Sequence, residues 1–135
     1  MLDQTDIQIL NLLKENARLQ WREIGELVHL TGQAVSNRIK RMEQAGILQG
    51  YTIKINSSSL CKTAFITVFM KTLDHPAFIK FVKATESVLD CDRISGEGCY
   101  LLKVNFVDDD DLMGLLSKLL TFGNYRVNIS IGKVK

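Results

Sequence analysis

Trp21-Arg22-Glu23-Ile24-Gly25-Glu26-Leu27-Val28-His29-Leu30-Thr31-Gly32-Gln33-Ala34-Val35-Ser36-Asn37-Arg38-Ile39-Lys40-Arg41-Met42-Glu43-Gln44 is the stretch that decides the architecture. Ile24, Leu27 and Val28, extended by Trp21, make an apolar face for a helix over residues 21–28. His29-Leu30-Thr31-Gly32 breaks that helix, and Thr31 is placed to cap a second one over 33–44. Val35, Ile39 and Met42 recur at i, i+4 and i+7 and fix its inward side. Gln33, Ala34, Asn37, Lys40, Arg41 and Gln44 then point outward, with Arg38 on the flank and Ser36 at the side. A helix fits the major groove of B-DNA, where outward Asn, Gln and Arg read base edges while Lys and Arg meet phosphates. Residues 33–41 carry Arg38, Lys40 and Arg41 and no acid. Two short helices, a four-residue break and a basic outer face on the second helix together predict a helix-turn-helix.

On the amino-terminal side the pattern predicts another helix over residues 5–15, with Asp3 as N-cap and Asp6 near the positive end of the dipole. Ile7, Leu10 and Leu13 repeat every three residues, and Ile9 and Leu12 widen the stripe, so this helix must be packed. On the other side Gly46 is placed to end the recognition helix. Ile47-Leu48 and residues 51–55 read as a small β-element, a wing or hinge strand leading away from the helices. Asn56-Ser57-Ser58-Ser59 is a polar linker, which divides the chain into domains 1–56 and 57–135.

The second half alternates strand and helix patterns in the order β-α-β-β-α-β: strand 63–71, a helix opened by Asp74-His75-Pro76, strands 88–95 and 100–107, a leucine-rich helix from Leu112 to Leu120, and a closing strand 126–134. That order predicts a ferredoxin-like split-βαβ domain and, with the helical half, an α+β chain. Phe65, Thr67 and Phe69 share one face of the first strand, and Ala64, Ile66, Val68 and Met70 the other. Helices can cover only one of these faces, so the apolar remainder is expected to pack on the sheet of a partner. Asp108 to Asp111 precede the leucine-rich helix and are read as acids complementing its dipole rather than as cation ligands.

Length and composition exclude several classes. The 135 residues are 46% hydrophobic and 24% charged, with net charge +2, which suits an ordinary globular chain. No stretch approaches the 18 apolar residues of a membrane span, and no secretory leader is visible at the start, so a cytoplasmic protein without a membrane partner is expected. Cys61, Cys91 and Cys99 are odd in number and lack C-x-x-C spacing, and His29 and His75 stand alone. No metal site, no cofactor and no catalytic set are therefore expected.

The segment from Leu30 to Tyr51 resembles a signature of the Lrp/AsnC ("feast/famine") transcription regulators. Leu2-Asp3-Gln4-Thr5-Asp6 with Ile9-Leu10 and Arg18 resembles their first helix, and Ser95-Gly96-Glu97-Gly98-Cys99-Tyr100-Leu101-Leu102-Lys103-Val104 the core of their effector domain. The resemblance implies a winged-type helix-turn-helix joined by a hinge strand to a regulatory domain. It also implies homodimers, octamers as the larger assembly, and control by an amino acid. It places contacts to double-stranded DNA at Gln33, Ala34, Asn37, Arg38 and Arg41, with Lys40 alongside, and effector contacts at Gly96, Glu97, Gly98, Cys99 and Tyr100. Cys99 stands where many members carry an acid, so Glu97 is the one carboxylate of that turn able to hold an ammonium group. The competing reading is an amino-acid-binding module that docks on an enzyme; the outward Asn37, Lys40 and Arg41 favour DNA over such docking.

Overall fold

Three helices make up the amino-terminal unit: α1 (Gln4–Glu15), α2 (Trp21–Val28) and α3 (Gly32–Gln44). Asp3 caps α1 and Thr31 caps α3, each side chain accepting from a backbone N–H three residues on. An eight-residue helix such as α2 is too short to persist alone in water, so packing sustains it. Ile9, Leu13, Ile24, Val35, Ile39 and Met42 form that packing, and burying each contributes about 1.5–3 kcal/mol.

The inward stripe is narrower than the sequence pattern suggests. Ile7 is 49% exposed and Leu27 59%, so neither belongs to the core, and Trp21 at the start of α2 stays largely outside as well. On α1 the core line is Ile9 and Leu13, one turn apart. On α2 the inward arc runs through Ile24 and Gly25, and Leu27 falls on its flank.

Gly46, at φ +69, ends α3. The N–H groups of Ile47 and Leu48 both turn back to the Met42 carbonyl, 2.9 and 3.1 Å away. Here the expected β-element does not form. Residues 47–48 are spent on closing the helix, and 51–55 belong to no strand among the described residues.

This computed structural model describes residues 1–56 and 59–135; Ser57 and Ser58 of the linker cluster lie outside the described residues. The chain divides into two compact units, Met1–Lys54 and Ile55–Lys135. The second unit contains β1 (Lys62–Met70), α4 (His75–Ala84), β2 (Val88–Arg93), β3 (Tyr100–Phe106), α5 (Asp109–Leu119) and β4 (Gly123–Ile129). Its strands form one antiparallel sheet in the order β2-β3-β1-β4, the split-βαβ arrangement.

Ala64, Ile66 and Val68 of β1 and Tyr100, Leu102, Val104 and Phe106 of β3 lie beneath Phe78 and Val82 of α4 and the leucines of α5. The opposite face of the sheet is not covered by the helices of its own unit among the described residues, and Phe65 and Leu101 are exposed there. Phe65, Thr67 and Phe69 run down its centre, and the strand register sets Leu101 and Lys103 beside them on one side and Arg126 and Asn128 on the other. Arg126 lies over the Phe69 ring at 5.7 Å, and Asp90 stands opposite Lys103 across the β2–β3 ladder. The face thus has Phe65, Phe69 and Leu101 beside Lys103, Arg126 and Asn128, the substantially apolar second face that the pattern of β1 and β3 suggests.

The closing strand begins earlier than its pattern predicts. Gly123 pairs with Met70 so closely that a Cβ there would run into the Phe69 carbonyl, so the close pairing needs a glycine. The ladder ends at Ile129, with Ser130 donating to the Thr63 carbonyl at 2.8 Å. Residues 131–134, expected as strand, belong to no strand among the described residues. The aspartate run is a helix cap: Asp108 accepts from the Asp111 N–H at 2.9 Å, and the Asp111 carboxylate reaches back to the Asp108 N–H.

Candidate DNA interface and effector loop

The turn between α2 and α3 is built on three local choices. His29 takes a left-handed conformation (φ +57) at the end of α2, and the Leu30 N–H donates to the Gly25 carbonyl at 2.8 Å. Gly25 lets the two helices approach, since a Cβ there would overlap the Leu30 carbonyl oxygen and lie 3.3 Å from the Gly32 nitrogen. Thr31 Oγ1 accepts from the Ala34 N–H at 3.1 Å and starts α3.

On the outer face of α3, Gln33, Asn37, Lys40 and Arg41 are exposed, and Ala34 and Arg38 are partly buried. Gln33 Nε2 donates to Asn37 Oδ1 at 3.0 Å, so two amides that could read a base edge are already ordered against each other. Lys40 makes no ion pair among the described residues.

Arg38 and Arg41 are engaged on α1. Asp6 is fully buried, and its carboxylate accepts from Arg38 Nη1 at 2.8 Å and Arg41 Nη2 at 2.7 Å. Arg38 Nη1 also reaches Asp3 Oδ2 at 2.6 Å. Desolvation pushes the Asp6 carboxyl pKa up, but the Arg38 hydrogen bond, the Asp3 N–H and the charge of Arg41 outweigh it and hold the group below its ordinary value. Asp6 is thus an ion-pair anchor as well as a dipole-side acid. Sequence reasoning missed this because the partners lie 32 and 35 residues away.

The loop of the second unit is fixed by two glycines. Gly96 and Gly98 have φ of +86 and +92, where other residues are strained. A Cβ on Gly98 would lie 2.5 Å from the Thr67 methyl, so the loop sits directly on β1. Cys99 N–H donates to the Val68 carbonyl at 2.8 Å, and its own carbonyl accepts from Ile94 at 3.0 Å.

Glu97 is exposed and faces Arg126 at 3.8 Å, a partner that nothing near either residue in sequence announces. Tyr100 points the other way, into the core: its hydroxyl is 2.8 Å from His75 Nδ1 and its ring packs on Phe78 at 4.5 Å. Gly96, Glu97 and Gly98 are thus together at the loop surface, Cys99 is half-buried beside them, and Tyr100 supports them from within.

Comparison with known proteins matches residues 2–43 to the AsnC-type helix-turn-helix domain and residues 63–135 to the Lrp/AsnC ligand-binding domain. The chain is 45% identical to the transcriptional regulator LrpB of Bacillus subtilis over 99% of its own length and 91% of that protein's. It is 34% identical to B. subtilis LrpA over 98% and 100% of the respective chains. Among solved structures, a transcriptional regulator from Neisseria meningitidis determined as an L-Met complex is 33% identical, with a TM-score of 0.89 over 100% of this chain and 93% of its own. B. subtilis LrpC superposes with a TM-score of 0.91 at 25% identity over 100% and 98% of the two chains.

Proposed function

Because this chain belongs to the Lrp/AsnC family of helix-turn-helix transcription regulators, we propose that α3 enters the major groove with Gln33, Ala34 and Asn37 toward base edges and Lys40 and Arg41 toward phosphates. The observation that carries this assignment is the outer face of α3, where a hydrogen-bonded amide pair stands beside an unpaired lysine. On this reading the protein performs no catalysis and works in the cytoplasm.

Two phosphate contacts per subunit make about four per dimer, for a log–log salt slope near −3.6. Lys40→Ala is expected to weaken binding to every duplex and to reduce the slope by about 1.8 per dimer. Asn37→Ala is expected to relax base preference at about one position, at a cost of roughly 1–3 kcal/mol. Fluorescence anisotropy over a salt series reads both, and a flat salt response for the native chain removes the DNA assignment.

The second unit is read as the self-association and effector domain. The uncovered sheet face, centred on Phe65, Phe69 and Leu101, meets the same face of a second copy, and octamers follow by association of dimers. The effector is an amino acid at the 96–100 loop. The Gly96 and Gly98 amides take its carboxylate, Glu97 takes its ammonium group and Cys99 completes the wall; Tyr100, expected among the effector contacts, is turned into the core and supports the loop from within instead.

The L-Met complex of the Neisseria relative supports that ligand class. Cys99 supplies no charge to an ammonium group, so affinity is expected to be weak, with Kd near or above about 1 mM. Calorimetry over the twenty amino acids tests this. Glu97→Gln is expected to cost roughly 1–3 kcal/mol of the binding found, and Cys99→Asp to tighten it. Binding well below about 1 mM that ignores Glu97→Gln overturns the assignment.

A further inference from the structure

Among the described residues Asp6 is the one fully buried charged side chain, and it joins α1 to α3 through two arginines of α3, Arg38 and Arg41. Its Oδ1 holds Arg38; its Oδ2 holds Arg41 and also accepts the Asp3 N–H at 3.1 Å. Asp3 in turn accepts the Asp6 N–H at 2.8 Å and takes Arg38 as a second partner. Two carboxylates and two guanidinium groups therefore cancel in one cluster on the side of α3.

The two arginines differ in what remains free. The Arg38 side chain is 27% exposed, and its one bonded nitrogen, Nη1, is shared between two carboxylates. The Arg41 side chain is 59% exposed and, among the described residues, bonded through Nη2, which leaves its Nε and Nη1 donors for an outside anion. A guanidinium already held in place loses less rotamer freedom on binding than a loose one.

We propose that Asp6 is a positioning residue for DNA recognition: from α1 it fixes Arg41 at the phosphate-facing edge of α3 and withholds Arg38 from DNA. This rests on the DNA assignment above and goes beyond it. The cluster sets how many cations of α3 count toward phosphate and the direction in which Arg41 approaches. It also fixes the roll of α3 against α1, so the amides of Gln33 and Asn37 meet the groove in one register.

The test uses the full chain with two duplexes of equal length, one selected by the native protein from random sequence and one shuffled. Asp6→Asn keeps the shape of the side chain and removes its charge. In the folded variant, checked by circular dichroism, the ratio of selected to shuffled affinity is expected to fall at least about tenfold, while shuffled-duplex affinity holds or rises because a negative charge has gone. Arg38→Met, which deletes a formal cation, is expected to leave the salt slope unchanged.

A folded Asp6→Asn chain with a lower melting temperature and an intact ratio overturns the positioning role. A slope shallower by about 0.9 per subunit in Arg38→Met puts Arg38 on phosphate and overturns the withholding. If Asp6→Asn does not fold, Arg41→Lys keeps the charge and leaves the Arg38–Asp6 pair in place. The same tenfold loss of ratio is then expected, on the principle that a point charge does not replace a held planar fork, and an unchanged ratio overturns the proposal. No salt-dependent binding by the native chain is a separate outcome, which removes the DNA assignment and this inference with it.

Discussion

Val68→Asp is expected to abolish folding of the Ile55–Lys135 unit, whereas Phe65→Asp leaves that unit folded and takes its dimer apart. The two positions are three residues apart on one strand and differ in which face they serve. Val68 has no exposure and sits between Tyr100 on β3 and Tyr125 on β4, beneath the helices. A carboxylate there has no cation to pair with and loses its water, a cost of several kcal/mol that rivals the whole stability of a small domain. Phe65 is 40% exposed and stands opposite Lys103, so an aspartate there keeps its water and gains a neighbouring cation. It does, however, bury a carboxylate on each side of the proposed symmetric sheet contact. Circular dichroism separates folded from unfolded, and sedimentation at micromolar concentration separates dimer from monomer. A native chain that is monomeric under those conditions defeats the shared-face assignment.

Two glycine substitutions are expected to move stability in opposite directions. Glycine inside a helix ordinarily costs about 0.5–1 kcal/mol relative to alanine. Gly114 lies within α5 with nothing within 4 Å of a new Cβ, so Gly114→Ala gains about that amount. Gly25 lies within α2, where the same methyl meets the Leu30 carbonyl that the turn into α3 holds in place. Backbone must shift to make room, and Gly25→Ala is expected to cost roughly 1–3 kcal/mol despite its better helix propensity. Thermal melting should show a rise for the first and a fall of several degrees for the second, with loss of DNA binding confined to the second. A melting temperature that holds or rises in Gly25→Ala refutes the reading of Gly25 as the spacer of the helix-turn-helix.

Features that depend on near neighbours were legible in the sequence. Asp3, Thr31 and Asp74 cap helices, and Gly46 ends one, because each acts within about one turn of its own position. The strand–helix order and the two faces of β1 were legible for the same reason: alternation is local. What escaped were contacts whose partners lie far along the chain. Nothing near Asp6 announces Arg38 and Arg41, and nothing near Glu97 announces Arg126. Ile7 and Leu27 looked like core because hydrophobicity records capacity for burial, while packing geometry decides which apolar groups are used. Residues 131–134 looked like strand because pattern cannot show whether a neighbour extends far enough to pair with them.

The seating of Gly98 on Thr67 has a thermodynamic corollary. Thr67 belongs to the uncovered face of the sheet, and the loop above it is the place assigned to the effector. On the proposed assignments, a ligand that shifts the loop presses on a residue of the proposed subunit contact, so the two equilibria share a term. Reciprocity then fixes its size in both directions: whatever factor an effector applies to dimer affinity, dimerisation must apply to effector affinity. If the proposed effector site and sheet contact both hold, the half-saturation point of the sensor drifts with the concentration of the protein itself, and abundance becomes part of the dose–response curve.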